Sequence, residues 1–303
     1  MTFIDKTPYK LVDWVDINKL NWRDLNLNPR AIQLLEKNKE HIYLHNLMLN
    51  PNAIFIIEEN VENISLYSWK LLSSNPNAIE LLEENIDKID WWQISSNPSA
   101  IQIIEKNLDK VKGMMLCKNP NAFHLLKGDF SYENIENNWG WWGICGNSSK
   151  ESIKILEENI NKNFHSTELI ARALSENQNA VHLLEKYPEY INWAVLSSNP
   201  NAVHLLEKNQ DKVNWFSISS NPNASRMIKE NIPKYKIDMN WLSKNPCIFE
   251  IDYDAIKEKT KIEIFEEELM QKCYHPKRLI NYLYNYNYDI GDDIYIYNRN
   301  YIN

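Results

Sequence analysis

The sequence predicts an all-α protein, an α-solenoid of either hand made of short helical hairpins and ended by a C-terminal helical cap. Three observations predict it. The dipeptide Asn-Pro recurs at Asn28, Asn50, Asn75, Asn97, Asn119, Asn199, Asn221 and Asn245, with Asn147-Ser148 and Asn177-Gln178 as weaker copies. Successive intervals are 22 residues in five of nine cases and longer in the others. The third residue before each of these asparagines is aliphatic throughout, from Leu25 to Leu242. A unit of about 22 residues falls well below the roughly 40 that a free-standing domain needs, so neighbouring units must stack into a shared core.

The stretch Asn75 to Ser96 serves as the type unit. Asn75 followed by Pro76 reads as an N-cap beside a first-turn proline, because the Asn side chain accepts from an orphan N–H and proline has none to leave unpaired. Ala78, Ile79, Leu81 and Leu82 then supply an apolar stripe at helical spacing, with Glu83 and Glu84 outside it. Asn85 is expected to end this helix in the left-handed conformation that Asn tolerates. Asp87 is expected to cap a second, shorter helix carrying Ile89, Trp91, Trp92 and Ile94.

In chain order, residues 1–250 read as the repeat array, and residues 1–27 as a degenerate N-terminal copy in which Thr7-Pro8 stands for Asn-Pro. Units spaced about 8–10 Å apart, as packed helices are, would give a rod or arc on the order of 100 Å long. The segment 127–180 reads as an irregular insertion, since the two longest intervals fall there and Gly140-Trp141-Trp142-Gly143 interrupts the helical pattern. Residues 251–285 read as capping helices that cover the last unit's open face, with a long helix from Asp254 to Cys273 and another from His275-Pro276. Residues 286–303 form a Tyr/Asn-rich tail in which Ile294 to Tyr297 alternates like a strand. The alternative fold is a leucine-rich-like horseshoe, whose strand pattern Leu44 to Asn50 fits once and later copies do not sustain.

Composition narrows function by exclusion. A formal net charge of -8 opposes phosphate backbones and acidic membrane surfaces, so no nucleic acid and no membrane partner is expected. Cys117, Cys145, Cys247 and Cys273 form no CxxC pair, which argues for reduced thiols and a cytoplasmic location. Cys117 and Cys145 occupy a turn position that is Ser in other units. No Ser-His-Asp or Cys-His pattern, phosphate-binding Gly loop or HExxH is present, and glutamate pairs repeat once per unit without a distinctive environment. No enzyme activity and no cofactor or metal is therefore expected.

Two sets of residues are candidates for partner binding. The position five after each motif Asn varies on an otherwise constant frame, and its members include His124, His182, His204 and Arg226. His182 and His204 lie on adjacent units and are close enough in register to raise a metal site, for which a third ligand is missing. In the central insertion, Trp139, Trp141 and Trp142 are expected as exposed aromatic anchors. A further Trp column six before the motif Asn (Trp22, Trp69, Trp91, Trp141, Trp193, Trp215) reads as packing between units rather than a base-stacking platform.

The block from Asn75 to Asn85, together with the ending Cys273 to Leu279 and Asn287 to Ile290, resembles the uncharacterised short helical repeat proteins of giant DNA viruses. The likeness spans about residues 14 to 290 and departs at 127–180. It implies a viral protein made in the host cytoplasm, possible virion placement included, and brings no activity or site residues with it. The expected function is a non-enzymatic repeat scaffold for protein–protein interaction with a host or viral protein. The alternative is an enzyme or metal-binding protein built on the central segment.

Overall fold

The computed structural model describes residues 7–126, 138–160, 168–232 and 237–260, without the side chains of 138–141, 259 and 260. Contacts divide the chain into a first unit, Met1–Ile251, and a second, Asp252–Asn303. Of the second, only the helix Tyr253–Thr260 is described, so most of the expected Asp254 to Cys273 helix, the His275 helix and the Tyr/Asn-rich tail lie outside the described residues. The first unit is mostly helical. The leucine-rich alternative fails at its best match, because Leu44–Leu47 is a helix.

The type repeat holds a first helix, Ile79–Glu84, then a tight 3-10 turn, Ile86–Lys88, then a second short helix, Trp91–Ser95. Most described units follow this plan, but the Asn119 unit has only the 3-10 turn Phe123–Leu125 in its first half, and the Asn245 unit a 3-10 turn followed by a strand. Helices this short are unstable alone, so their ends need local satisfaction. Two details differ from the sequence reading. Asn85 ends its helix at φ -129°, ψ 50°, not in the left-handed region. Its side chain instead donates to the Leu81 carbonyl at 2.9 Å, meeting an orphan acceptor directly. Asn38, Asn60, Asn107, Asn209 and Asn231 do the same in their units. The cap of the second helix is Asp90, which accepts from Gln93 N–H, whereas Asp87 sits inside the 3-10 turn.

The motif asparagines organise the stack. All ten are buried. Each side-chain oxygen accepts from the backbone N–H two residues on, at 2.8–3.0 Å. Each side-chain NH2 donates to two carbonyls of the preceding unit, at 2.7–3.3 Å: the preceding motif Asn and the residue two before it. Only an amide supplies two donors and an acceptor at once. Asn147 and Asn177, which lack the proline, make the same bonds as the rest, so the amide and not the proline defines the motif. The segment 127–180 therefore continues the ladder where it is described.

The ladder has no ends. Asn28 of the first unit donates to Ser243 and Asn245, the last members, at 3.0 and 2.8 Å. Asn50 donates back to Asn28, and the chain of bonds runs round to Asn245 again. The joint is completed by strands β1 (Tyr9–Leu11) and β2 (Phe249–Ile251), which pair antiparallel with Lys10 opposite Glu250. Val12 N–H adds a bond to the Ile248 carbonyl at 2.9 Å, and Lys244 meets Asp24 at 3.1 Å. One hydrophobic core joins Val12, Leu20 and Leu25 to Leu242, Ile248 and Phe249. Residues 7–27 are thus not an end copy frayed by water; they complete the unit begun at Asn245. The rod or arc expected from unit spacing is replaced by a closed circuit within this unit, and the site expected to need a cap is filled by β1 and the helix Trp22–Leu25.

The second helices form a row in backbone contact. Trp22–Leu25 lies against Met239–Lys244, Trp91–Ser95 against Gly113–Leu116, and Asn138–Gly146 against Glu168–Glu176. All ten aliphatic residues three before the motif Asn are buried here. A serine two before the motif Asn binds this row together: Ser73 Oγ donates to the Trp69 carbonyl at 2.9 Å and accepts from Asp90 N–H of the next unit at 3.0 Å. The same acceptance recurs at Ser95, Ser175, Ser197, Ser219 and, across the joint, Ser243 with Asn21. The column read as a small turn residue is a hydrogen-bonding column: Asn26 accepts from Tyr43 N–H in the same way, and Met48, Cys117 and Cys145 are the exceptions.

Gly140 to Gly143 does not interrupt a helix; Asn138–Gly146 runs through it. A Cβ on Gly143 would stand 2.5 Å from Cys117 Cβ, so the glycine permits close approach of two helices. Gly143→Ala is expected to destabilise the protein by about 1–3 kcal/mol, the usual cost of overpacking. Adding Cys117→Gly should return part of the lost thermal stability, because it removes the clashing atom; an unchanged melting temperature for Gly143→Ala alone would contradict this account.

Candidate functional site

The variable column five after the motif Asn lies on the first helices, and its histidines are already engaged. His124 Nε2 sits 3.1 Å from Glu105, His182 3.2 Å from Glu157, and His204 2.8 Å from Glu185, each glutamate belonging to the preceding unit. His182 and His204 are therefore not paired with each other. Arg226 pairs with Glu230 along its own helix at 2.9 Å, and Gln33 accepts from Tyr9 N–H. The three His–Glu contacts are about half exposed and the Arg226 pair more so, so each contributes little to stability. Among the described residues, no group of three or more His, Cys, Asp or Glu could hold a metal ion.

The side chains of Trp139 and Trp141 lie outside the described residues. Trp142 is half-buried, not an exposed anchor: it packs on the core around Ile144 and Leu156, and Lys118 Nζ stands 3.7 Å from the ring centroid. Burial holds Lys118 below its usual pKa, with Glu176 opposing that shift and Arg172 adding to it. Lys118 feels two residues of a unit two steps further on, which brings these second helices onto one local surface.

Where its side chains are described, at Trp22, Trp69, Trp91, Trp193 and Trp215, the column six before the motif Asn packs on the core between units, as expected, with an addition. Lys88 lies over Trp69 at 4.8 Å, Lys110 over Trp91 at 5.1 Å and Lys212 over Trp193 at 5.0 Å, each cation coming from the following unit. His41 stacks on Trp22 in the same relation at 4.2 Å. These are joints in the frame, cation on ring face.

A second variable surface escaped the sequence reading. A cleft of about 310 Å³ is lined by Arg172, Glu176, Ala194, Val195, Ser198, Phe216, Ser217, Ser220 and Trp241. Every one of these stands one, four or five residues before a motif Asn, and they come from four successive units. Phe216 is 53% and Trp241 41% exposed, and their rings meet edge-on at 6.5 Å. Over all ten units these three columns carry the cations Arg23, Lys70, Lys118, Arg172 and Lys244 against the carboxylates Asp24 and Glu176. Five minus two leaves +3 on this surface of a chain whose net charge is -8. The signal was available: the column five before the motif Asn runs Arg23, His45, Lys70, Trp92, Met114, Trp142, Arg172, Ala194, Phe216, Asn240, as variable as the column five after it. A smaller cleft of about 250 Å³ beside Asn177 is lined by Gly146, Ser148, Glu176, Asn177, Gln178 and Asn179.

The described cysteines are free. Burial raises the thiol pKa of Cys117 and, far more, of fully buried Cys145. Cys247 is pushed up to about 12 by burial, against smaller opposing effects of Arg30 and Ser225. The thiolate is the reactive form. Iodoacetamide at pH 8, read by peptide mapping, should therefore leave Cys145 and Cys247 unmodified in the native protein and label both in urea; native labelling of Cys145 would contradict its burial.

No helix among the described residues is long and apolar enough to cross a membrane. Compared with protein-family models, characterised proteins and solved structures, the chain matches none.

Proposed function

We propose that this chain is a non-enzymatic scaffold: a closed α-solenoid of ten short hairpins that presents variable side chains to a host or viral protein. The observation that carries the reading is the buried asparagine circuit. It holds the frame with side chains that never reach the surface, so the outward columns are free to differ from unit to unit. In such a ring the row with the shorter circumference is the more crowded. The second helices, in backbone contact with their neighbours, fit the inner row, and the acidic first helices, such as Ile79–Glu84, fit the outer. Location in the host cytoplasm follows from the resemblance to giant-virus repeat proteins and belongs to the same proposal.

The test is affinity purification of the tagged full-length protein from infected cells, with mass spectrometry at graded salt. A stoichiometric protein partner is the expected result. The combined variant His124→Ala, His182→Ala, His204→Ala, Arg226→Ala decides whether the outer column holds it. Recovery of the protein alone at every salt, or a stoichiometric metal in the purified protein, would overturn the scaffold reading.

A further inference from the structure

We propose that the cleft across the units of Asn177, Asn199, Asn221 and Asn245 binds a small zwitterion, an α-amino acid with a large apolar side chain. The inference goes beyond the scaffold reading and stands or falls without a protein partner. Its basis is a pair of opposite charges left unpaired in one small cleft. Arg172 and Glu176 lie one turn apart on the helix Glu168–Glu176, about 5–6 Å between Cβ atoms, and both line the cleft. Among the described residues neither has an ion-pair partner, and they do not pair with each other. Lys118, whose amine feels both, is drawn over the Trp142 ring instead. A lone anion in the cleft would be attracted by Arg172 and repelled by Glu176, and a lone cation the reverse. A ligand that carries a carboxylate and an ammonium on one carbon meets both charges.

The rest of the lining sorts by the same chemistry. Ser198 and Ser220 follow Glu176 in the column one before the motif Asn. Their hydroxyl protons go to the carbonyls of Val195 and Ser217, at 2.7 and 2.8 Å, so the oxygens present lone pairs. Glu176 and Ser198 thus make a row of acceptors suited to the three N–H donors of an ammonium. The columns four and five before the motif Asn supply the guanidinium and the apolar wall: Arg172, then Val195, then the exposed rings of Phe216 and Trp241 set edge-on. At about 310 Å³ the cleft stands at the small end of ligand sites, with room for one amino acid.

Ligand-observed NMR on the full chain tests this with L-phenylalanine and three probes that each lack one feature: N-acetyl-L-phenylalanine without the ammonium, L-phenylalaninamide without the carboxylate, and glycine without the ring. L-phenylalanine is expected to bind, and each of the others to bind about 10-fold more weakly or worse. The charge variants should each act on one feature. Arg172→Gln should weaken L-phenylalanine about 10-fold and not weaken L-phenylalaninamide. Glu176→Gln should weaken L-phenylalanine by a similar factor and not weaken N-acetyl-L-phenylalanine. Loss of fold would weaken every probe together, and at these exposed positions the melting temperature should not change. Phe216→Ala with Trp241→Ala should bring L-phenylalanine down to the level of glycine. No binding of L-phenylalanine, equal binding of the four compounds, or indifference to both charge variants would overturn the proposal.

Discussion

Replacing Asn97 by Asp is expected to destabilise the protein by about 3–6 kcal/mol, read as a lowered urea midpoint at pH 8. The Asn97 side chain donates to the Ser73 and Asn75 carbonyls and accepts from Ser99 N–H, all in a buried joint. The carboxylate keeps the acceptor and loses both donors. The buried Ser73 carbonyl is then left unpaired at about 1–3 kcal/mol, the Asn75 carbonyl keeps only the Ala78 N–H, and a buried negative charge facing both supplies the remainder. The loss should depend on pH with a definite sign. Burial beside two carbonyl oxygens raises the folded-state pKa of the new carboxyl above its unfolded value of about 3.9. Between those two values the folded state binds the proton more tightly, so stability relative to the parent is greatest near pH 4 and falls as pH rises through the folded pKa. Asn97→Leu, which cannot titrate, should show a loss without that slope. Pro98→Ala, at the other half of the motif, should cost far less, since Ser148 and Gln178 stand there in units whose ladder bonds are intact.

How much of this was legible in the residues follows from the range of each bond. The acceptor half of the motif asparagine was readable, because its partner lies two residues on and short-range caps leave a local signature. The donor half was not: Asn75 donates to Met48 and Asn50, 27 and 25 residues back, and nothing near Asn75 marks those acceptors. Asn85 was correctly read as a helix end and wrongly given a left-handed backbone, since a side-chain bond to the carbonyl four back ends a helix equally well. Gly143 looked like a break because the sequence does not show Cys117 pressed against it. Closure was the least legible feature. Whether a stack of equal units becomes a rod or a circle depends on a small rotation per unit, summed ten times, and periodicity is silent about that rotation. On the surface, two columns vary, five before and five after the motif Asn. The second drew attention through its histidines, yet those histidines are spent on glutamates of neighbouring units, and the first holds the exposed Phe216 and Arg172.

Arg30 offers the sharpest test of the closed circuit. At its position, two after the motif Asn, several units carry a second asparagine that ties back to the preceding unit, as Asn223 does to the Pro200 carbonyl at 3.0 Å. At the joint the partner is Pro246, on the far end of the array, and an arginine spans the gap. Its Nη1 donates to the Pro246 carbonyl at 3.2 Å and the Phe249 carbonyl at 3.3 Å, and its guanidinium lies 5.0 Å from the Tyr9 ring centroid. Hydrogen bonds from a charged donor contribute about 1.5–3 kcal/mol each, and these are long, so Arg30→Ala should cost about 3 kcal/mol against about 1 kcal/mol for Asn223→Ala. The distribution of that loss discriminates the two architectures. In an open array each terminal unit depends only on its one neighbour, and Arg30→Ala would loosen the ends while the middle kept its stability. In a closed circuit the first and last units are neighbours, so weakening their joint lowers the stability of every unit together. Native-state hydrogen exchange reads this directly: amides of Lys10, Val12 and Asn21 at the joint and of Ile94 and Ile104 far from it should lose protection by a similar free energy. Loss confined to the joint, with Ile94 and Ile104 unchanged, would mean that the ends meet without closing the protein into one cooperative ring.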